Sequence, residues 1–453
     1  MDYIALWMFV CLLLFMLSGY PVAFSLGATA VLFTLIGSDF LPNLGLSLPW
    51  DPMFRFVRLT ALPGRIFGSV MDNYTLVAVP FFVFMGVMLQ TSGLAEDLLK
   101  TMGRLFGRMR GGLAISVVAV GALLAASTGV VGASVVTMAI LALPVMLKYQ
   151  YDRSLAAGTI AASGTLGQII PPSIVLIILG DQMGVNVGDL FLGAFIPGLV
   201  LSSLYITYIA IYALVKRDVA PAMPKDSDDF EVHNLALAVL KSLLPPLLLV
   251  AVVLGSIFFG LASPTEAGAM GAFGASLLAL VNGRLTWKNL SAVTDTTVRL
   301  TSMVFMILVG ATAFAMVFSA LDGTWLVKGF LEGLPGGQWG FLFFVMLTIF
   351  LLGFFLDFIE ITFIVVPLVT PVAILFGYDP IWFGVLIAMN LQASFLTPPF
   401  GFALFYLRGA APPSISTWHI YRGIVPFISL QLLMLAIIVA FPNLVLWLPT
   451  QAQ

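Results

Sequence analysis

Charge is scarce in this sequence: Asp, Glu, Lys and Arg make up 9% of its 453 residues, whereas soluble domains carry about 25%. A net charge of −2 gives no field that would attract nucleic acid. The single cysteine, Cys11, excludes an intrachain disulfide, and the two histidines, His233 and His419, lie in polar connecting segments. The sequence therefore predicts no transition-metal site, and it contains no phosphate-binding loop of the Walker type.

Apolar residues are abundant instead. They make up 61% of the chain and fall in many runs of about 20 residues, the length that an α-helix needs to cross a bilayer. Runs of this length argue for helices and against a membrane β-barrel. The sequence therefore predicts an all-α polytopic membrane protein embedded in the lipid bilayer.

One stretch of the sequence occurs twice, at low identity but with constant spacing. The first copy runs from about 121 to 180 and the second from about 348 to 409. Paired, interrupted apolar segments in two halves of a chain are the best sequence indication of a transporter's binding site. The matched prolines, which we expect to break helices, are Pro144 with Pro371, Pro171 with Pro398 and Pro172 with Pro399.

Each copy predicts a re-entrant hairpin followed by a broken helix. In the first copy, segments 112–127 and 134–147 are too short to cross a bilayer comfortably, and they flank the turn "STGVVGAS". Segment 154–180 is interrupted by "ASGTLGQIIPPS", where a proline pair unwinds the helix. The second copy predicts a hairpin over 339–376 with "FFLDFIEIT" at its turn. A broken helix follows over 381–407, interrupted by "NLQASFLTPP".

The distribution of basic residues predicts how the spans are oriented. If the N-terminus lies outside, most Lys and Arg residues fall on the cytoplasmic side, in accord with the positive-inside rule. An odd number of spans then separates the two hairpins. The first hairpin therefore enters from the cytoplasm and the second from the outside, so the repeat is predicted to be inverted.

These elements divide the chain into five segments. The spans outside the two copies are expected at 3–18, 21–37, 75–92, 189–215, 241–260, 264–282, 300–321 and 424–448, and interfacial helices at 38–73 and 94–110. The segments are the N-terminal scaffold spans and interfacial helices (1–111), the first transport repeat (112–188), the connecting scaffold spans (189–338, with a cytoplasmic linker at about 216–240), the second transport repeat (339–409) and a C-terminal span (410–453).

Oxygen atoms beside the two interruptions are candidate ligands for Na⁺. Helix C-terminal ends and unwound carbonyls suit a cation, whereas helix N-termini suit an anion. Ser, Thr and Gly in membrane helices also serve simply to let helices pack closely, and this alternative stays open for each of them. The candidates are Ser127, Thr128, Gly129, Ser163, Gly164, Thr165 and Gly167 in the first copy, and Asp357, Asn390, Gln392, Ser394 and Thr397 in the second.

Two acidic residues, Asp357 and Glu360, lie in the apolar turn of the second hairpin. Ionisable groups at that depth are costly and usually functional. Asp357 is either an ion or proton ligand or a link that closes the hairpin, and for Glu360 the linking role is favoured. The sequence also predicts that Ser263 and Glu266 form a capping box at the start of a span.

Six segments, in order along nearly the whole chain, carry a family resemblance: "MLSGYPVAFSLG", "VPFFVFMGVML", "STGVVGAS", "GTLGQIIPPSI", "GLASPTEAGA" and "LTPPFGFALF". Together they resemble the large membrane (permease, M-type) subunit of tripartite ATP-independent periplasmic (TRAP) transporters. The "LDFIEITF" turn is similar to the branch of that family linked to 2-oxo acids, hydroxy acids or aromatic acids.

The resemblance implies a fold of the ion-transporter superfamily and an elevator mechanism in the bacterial inner membrane. It implies no cofactor, Na⁺ as the coupling ion, and two partners: a small four-helix membrane subunit and a periplasmic substrate-binding protein. Carried onto this sequence, the hairpin turns and helix breaks hold the ions. The small organic acid is then expected to contact Ser127, Thr165, Ser394 and Thr397.

Two other functions compete with this prediction. A self-sufficient Na⁺- or H⁺-coupled carboxylate transporter of the same two-hairpin architecture would need no partner. A membrane-embedded enzyme would need a nucleophile with a base, or a metal cluster. The sequence offers neither, apart from Asp357 and Glu360, which share one turn instead of facing each other from two helices. We therefore expect a transporter subunit and not an enzyme.

Overall fold

The computed structural model of the chain describes residues 3–45, 51–128, 131–223 and 235–452. Helices joined by short segments make up this part of the chain, with an isolated backbone bridge between Ser38 and Phe54. Five of the described helices are long and apolar enough to cross a membrane, or up to seven if each bent helix pair counts as one span. The prediction of an all-α membrane protein is confirmed.

The first two predicted spans are present and are separated by a tight turn. Gly19, with a φ of +84°, ends the first of them and allows the chain to reverse before Pro21. The described parts of the interfacial segment predicted at 38–73 contain short helical turns, among them a 3₁₀-helix at Phe56–Ala61 and a π-helix at Phe67–Met71. The helices of this part are α1 (Ile4–Leu17), α2 (Val22–Gly37), α3 (Phe40–Asn43), α4 (Leu62–Ile66), α5 (Ala78–Thr91) and α6 (Leu94–Phe106).

The first hairpin and the first broken helix follow, close to the predicted bounds. The two hairpin arms are α7 (Gly112–Thr128) and α8 (Val131–Lys148). The expectation that the second arm is too short to cross a bilayer is wrong, because α8 has 18 residues and is among the five helices long and apolar enough to do so. The broken helix consists of α9 (Arg153–Thr165) and α10 (Ile174–Met183), and a long span, α11 (Val187–Val215), comes next.

The connecting helices are partly longer than predicted. The helices of this part are α12 (Leu235–Ser242), α13 (Leu244–Phe258), α14 (Pro264–Val281), α15 (Trp287–Ala320) and α16 (Gly323–Glu332), while 224–234 in the predicted linker lie outside the described residues. The span expected at 300–321 is the second part of α15. Its first turns are polar, and they are helical because Thr286 caps them and Arg299 pairs with Asp295 at 2.9 Å. The predicted capping box of Ser263 and Glu266 begins α14.

The second half repeats the order of the first. Its hairpin has a long first arm and a second arm bent by 55° between two short helices. The helices of this part are α17 (Gly337–Leu352), α18 (Phe358–Ile364), α19 (Val366–Leu375), α20 (Pro380–Phe395), α21 (Phe402–Ala410), α22 (Thr417–Ala440) and α23 (Asn443–Ala452).

A constant offset of 227 residues relates the two halves. With this offset in residue number, α9 corresponds to α20, α10 to α21, and the long span α11 to α22. Asp152 and Asp379, which the offset also matches, begin α9 and α20 in the same way. Each carboxylate accepts two backbone N–H bonds, at 2.9 and 2.9 Å for Asp152 and at 2.8 and 3.1 Å for Asp379. The internal repeat therefore extends through α11 and α22, beyond the C-terminal ends of the two stretches that the sequence identified.

The position of α22 shows that the repeat is inverted. Near its start, Gly423 packs against the backbone of Ser154, at the beginning of α9. Near its end, the carbonyl oxygen of Ile438 accepts a hydrogen bond of 3.0 Å from the indole of Trp382, at the beginning of α20. Fifteen residues of helix span about 22 Å. The two broken helices, and the hairpins that precede them, therefore start at opposite ends of the molecule.

Glycines bring the longest helices into close contact. A Cβ atom added to Gly158 of α9 would overlap the carbonyl oxygen of Gly423 in α22. Likewise, a Cβ at Gly310 of α15 would lie 2.6 Å from the carbonyl oxygen of Ala23 in α2. Small residues at a crossing let backbones approach, which is how helices associate in a bilayer. Both crossings therefore depend on the missing side chain.

Candidate functional site

Both predicted helix interruptions are present. Between α9 and α10, a 3₁₀ turn at Leu166–Gln168 leads into the bond Pro171–Pro172, which is cis. Between α20 and α21 lies the cis bond Pro398–Pro399. A proline has no N–H to donate, and the last carbonyls of a helix have no partner within it. Each interruption therefore presents backbone oxygens that protein, water or an ion must satisfy.

Polar side chains fasten the second broken helix to the first arm of its hairpin. The Asn390 amide donates to Met346 O at 2.7 Å, and the Ser394 hydroxyl donates to Phe350 O at 2.8 Å. In the first half, a Cβ at Gly121 of α7 would lie 2.6 Å from Cβ of Ser163, the residue that corresponds to Asn390. Close packing of the broken helix on its hairpin is thus one role of these predicted site residues.

Thr165 and Gln392 meet at the centre of the repeat. The Gln392 amide donates to Thr165 Oγ1 at 3.5 Å, and the two residues are 227 positions apart, which is the offset of the repeat itself. Residues that correspond by symmetry can touch only where the symmetry axis passes between them. The contact therefore marks the pseudo-twofold axis, and it joins the ends of the two helix halves that precede the interruptions.

Several polar atoms of the broken helices are buried without a hydrogen-bond partner among the described residues. Among the described residues, Gln392 Oε1 and both side-chain amide atoms of Gln168 are buried without a hydrogen bond, as is Thr159 Oγ1. Gln168 and Gln392 are both 0% exposed. A buried polar group without a partner is costly and needs an explanation, such as a bound water or ion. Carbonyl-type oxygens of this kind suit a hard cation.

The other predicted residues fall into two groups. The structure gives contacts or burial for the first group and does not describe the second. The hydroxyl groups of Ser163, Thr165 and Thr397 donate to carbonyls of their own helix, at 3.0, 2.9 and 2.8 Å, which leaves their oxygens as acceptors. Gly164 packs against Val135 of the hairpin, and Gly167 is buried. The side chains of Ser127 and Thr128, and Gly129 as a whole, lie outside the described residues.

Asp357 and Glu360 form a capping box at the turn of the second hairpin. Asp357 Oδ1 accepts the Phe358 N–H at 2.7 Å, and Glu360 Oε2 accepts the Asp357 N–H at 3.0 Å, so the pair closes the N-terminus of α18. Glu360 is 8% exposed. The pair therefore caps α18. The predicted roles, an ion or proton ligand at Asp357 and a link that closes the hairpin, stay predictions.

Sequence reasoning missed two features of this region. Gln168 lies inside the interrupted stretch, and its amide in an apolar run is a signal that could have identified it. Gly353, where a Cβ would lie 2.9 Å from Cβ of Ser394, lets the second hairpin pack on α20. The described residues contain no group of three or more His, Cys, Asp or Glu side chains that could hold a metal ion.

Comparison with known sequences places this arrangement in context. The profile of the family described as "Tripartite ATP-independent periplasmic transporter, DctM component" matches residues 9–444. The C4-dicarboxylate TRAP transporter large permease protein DctM of Vibrio cholerae is 30% identical, over 98% of this chain and 97% of the relative. The sialic acid TRAP transporter large permease protein SiaM of the same species is 28% identical, over 95% of each chain.

Comparison with solved structures reveals a similar fold. The YdaH transporter of Alcanivorax borkumensis, whose topology is described as unusual, superposes with a TM-score of 0.62 at 15% sequence identity. The match covers 92% of this chain and 98% of that structure. At this identity the likeness concerns the fold alone.

Proposed function

The chain belongs to the DctM-component family of tripartite ATP-independent periplasmic transporters and is the large permease subunit of such a transporter, not an enzyme; from this premise we propose that it couples the uptake of a small organic acid to a Na⁺ gradient. The observation that carries the proposal is the polar centre on the pseudo-twofold axis. There the Gln392 amide N–H donates to Thr165 from the other half, and the buried Oε1 of Gln392 has no partner among the described residues.

The ions are proposed to lie at the two helix interruptions. In the second half, the ligands would be Asp357, Asn390, Gln392, Ser394 and Thr397 together with the unwound carbonyls that follow α20. In the first half they would be Ser127–Gly129, Ser163 to Thr165 and Gly167. Na⁺ prefers oxygen ligands, and helix ends supply them where hydrocarbon offers none.

The carboxylate of the substrate is proposed to lie between the two ion sites. α10 and α21 both begin directly after the interruptions, so their N-termini supply N–H groups and positive dipole ends at this place. Thr165, Ser394 and Thr397, with Ser127, would add hydroxyl contacts. Charge on the acid would thus be met by helix ends and bound Na⁺.

Transport is proposed to occur by an elevator movement of the two repeats. α22 packs directly on both broken helices, as the crossing of Gly158 and Gly423 and the bond between Trp382 and Ile438 show. α11 packs on α20, where a Cβ at Gly193 would lie 2.9 Å from the Ile381 side chain. We therefore propose that both helices move with the repeats, which departs from the expectation that 189–215 belongs to the scaffold. α2, α5, α14 and α15 pack on one another instead and would form the stationary scaffold.

The proposed complex contains a small four-helix membrane subunit and a periplasmic substrate-binding protein, in the bacterial inner membrane. The relatives named above are large permease proteins of TRAP transporters, which supports such partners. The competing self-sufficient transporter shares the fold and differs only in needing neither partner. Substrate choice would lie mainly in the binding protein.

Uptake into proteoliposomes tests the proposal. Labelled candidate acids are supplied outside vesicles that contain the chain and the small subunit, with the binding protein added, in the presence or absence of an inward Na⁺ gradient. We expect uptake that requires all three proteins and the gradient, because delivery and coupling are separate functions. Each component is omitted in turn as the control. Uptake by this chain alone would instead establish the self-sufficient transporter.

The capping box provides a second test in the same assay. We expect Glu360→Ala to destabilise the protein by about 1 kcal/mol, the usual cost of a lost helix cap. Glu360→Gln should keep uptake within about twofold of the parent, since glutamine serves equally in a capping box. Melting temperature and uptake are measured for both, and Glu266→Ala and Glu266→Gln, at the exposed capping box of α14, are the matched controls. Loss of uptake by a normally folded Glu360→Gln protein would show that the charge itself is required.

A further inference from the structure

A cavity of about 810 Å³ lies between the N-terminal helices and the second half of the chain. Met16 and Leu17 line it from α1, Leu352 and Phe354 from the second hairpin, and Phe402 from the start of α21. Nearly all of its lining side chains are apolar, and none of the side chains proposed above as ligands lines it. Glu360 does line it, and its carboxylate is engaged in the capping box. The cavity is therefore unsuited to a small, multiply polar solute.

One end of the cavity has a different character. Arg408, Thr417 and Tyr421 line it there, next to Trp418, which is 70% exposed. Arginine beside tryptophan and tyrosine is typical of the membrane–water interface. The positive-inside rule assigns this end, where α22 begins, to the cytoplasmic side. The cavity thus leads from the headgroup level of the cytoplasmic leaflet toward the bilayer interior.

The Arg408 guanidinium at this end has N–H donors beyond the one engaged within the protein. The Arg408 guanidinium donates to the carbonyl oxygen of Ile415, which occupies one of its five N–H groups. No carboxylate among the described residues lies within ion-pair distance of it. A guanidinium is well suited to a phosphate, because its fork of donors matches the phosphate oxygens.

We propose that this cavity binds one anionic phospholipid of the cytoplasmic leaflet, with its phosphate on Arg408 and an acyl chain among Leu352, Phe354 and Phe402. The apolar walls favour hydrocarbon over water, and the shape, with a cationic mouth above an apolar interior, fits an amphiphile. Because α1 and the second hairpin form facing walls, the bound chain fills the gap between them. The cavity reaches the start of α21, where Pro399 and Gly401 line it, but Thr165 and Gln392 on the pseudo-twofold axis are not among its lining residues.

Native mass spectrometry of the purified membrane complex tests this site directly. The probes are phosphatidylglycerol, phosphatidylcholine and inorganic phosphate, each added to delipidated protein. We expect one phosphatidylglycerol per chain to be retained and phosphate alone not to bind. Arg408→Gln should weaken the preference for phosphatidylglycerol over phosphatidylcholine by about fivefold, the contribution of one basic side chain to an anionic lipid. Leu352→Trp, which fills the cavity, should abolish retention of both lipids.

Two controls keep the experiment decisive. Arg299→Gln removes an exposed arginine that pairs with Asp295 on α15 and should leave lipid retention unchanged. Phe402→Trp is a second filling variant in case Leu352→Trp does not fold, and the melting temperature of each variant is recorded. Equal retention by the parent and a folded filling variant would overturn the proposal, as would an Arg408→Gln protein with unaltered lipid preference. Neither outcome depends on uptake, so the proposed transport function is tested separately.

Discussion

Gly158→Leu is expected to abolish uptake and to prevent normal folding of the membrane complex. Even a Cβ atom at this position would overlap the carbonyl oxygen of Gly423. Overpacking of a core costs roughly 1–3 kcal/mol when side chains can rotate away, but here the obstacle is backbone, so α9 and α22 must separate. Because α9 is the first half of the first broken helix, their separation would loosen the packing of α22 on that repeat. Size-exclusion profile, melting temperature and uptake measure the effect.

Gly27→Leu is the matched control for this substitution. Gly27 also lies in the interior of a helix, α2, but a Cβ there would meet no atom within 4 Å. Replacing an unconstrained helical glycine removes backbone freedom from the unfolded chain and is neutral or stabilising by about 1 kcal/mol. A Gly158→Leu protein that folds and transports like Gly27→Leu would show that the crossing is looser than described.

Gln392→Leu is expected to separate stability from transport. The Oε1 atom of Gln392 is buried without a described partner, and removing such an atom recovers about 1–3 kcal/mol of desolvation cost. Melting temperature should therefore stay the same or rise. If the oxygen is an ion ligand, the substitution should weaken Na⁺ binding by about 1.4 kcal/mol. The Na⁺ concentration for half-maximal uptake then rises roughly tenfold. Both quantities are measured on the same preparation.

Gln431→Leu is the control, since it removes a second fully buried glutamine from the moving part of the protein. Gln431 lies on α22 beside Tyr205 and is not among the predicted ligands. We expect it to leave the Na⁺ dependence of uptake unchanged. Unaltered Na⁺ dependence in Gln392→Leu as well would contradict the proposed ion site and leave Gln392 as a packing residue.

Much of the fold could be predicted from the sequence because the decisive signals are local. Asp152 and Asp379 begin helices through bonds to N–H groups two and three residues away, so their effect depends on nearby sequence alone. The proline pairs interrupt helices for an equally local reason. The capping box of Ser263 and Glu266 was predicted on the same basis and is confirmed.

Other parts of the fold could not be predicted from hydropathy. α15 begins at Trp287, well before the apolar stretch, because a helix once capped continues through polar residues whose side chains remain in water. α16 is a short helix between two spans, too brief to produce a clear apolar run. Hydropathy identifies the part of a helix that lies in the lipid, and it does not identify the residue at which the helix begins.

The candidate site could be predicted only in part from the sequence. The polar residues that flank the interruptions were identified by type and position, and their roles as ligands stay predictions. The contact of Thr165 with Gln392 joins residues 227 positions apart, and no local pattern contains it. It could have been found only by asking which residues of an inverted repeat must face their own counterparts. Gln168 was visible as an amide in an apolar run, but its burial depends on how the 3₁₀ turn folds.

The axial contact also bears on how such a protein can evolve after a gene duplication. In two identical copies, each residue on the axis faces a second copy of itself, so a group that can only donate would meet another donor. The pair Thr165 and Gln392 escapes this constraint, because a hydroxyl oxygen receives an amide proton. Divergence at one position thus allows a donor–acceptor pair on the axis, which two identical side chains that only donate could not form. The carboxylates of Asp357 and Glu360 are absent from the matching positions of the first copy, so they too are a specialisation of one half.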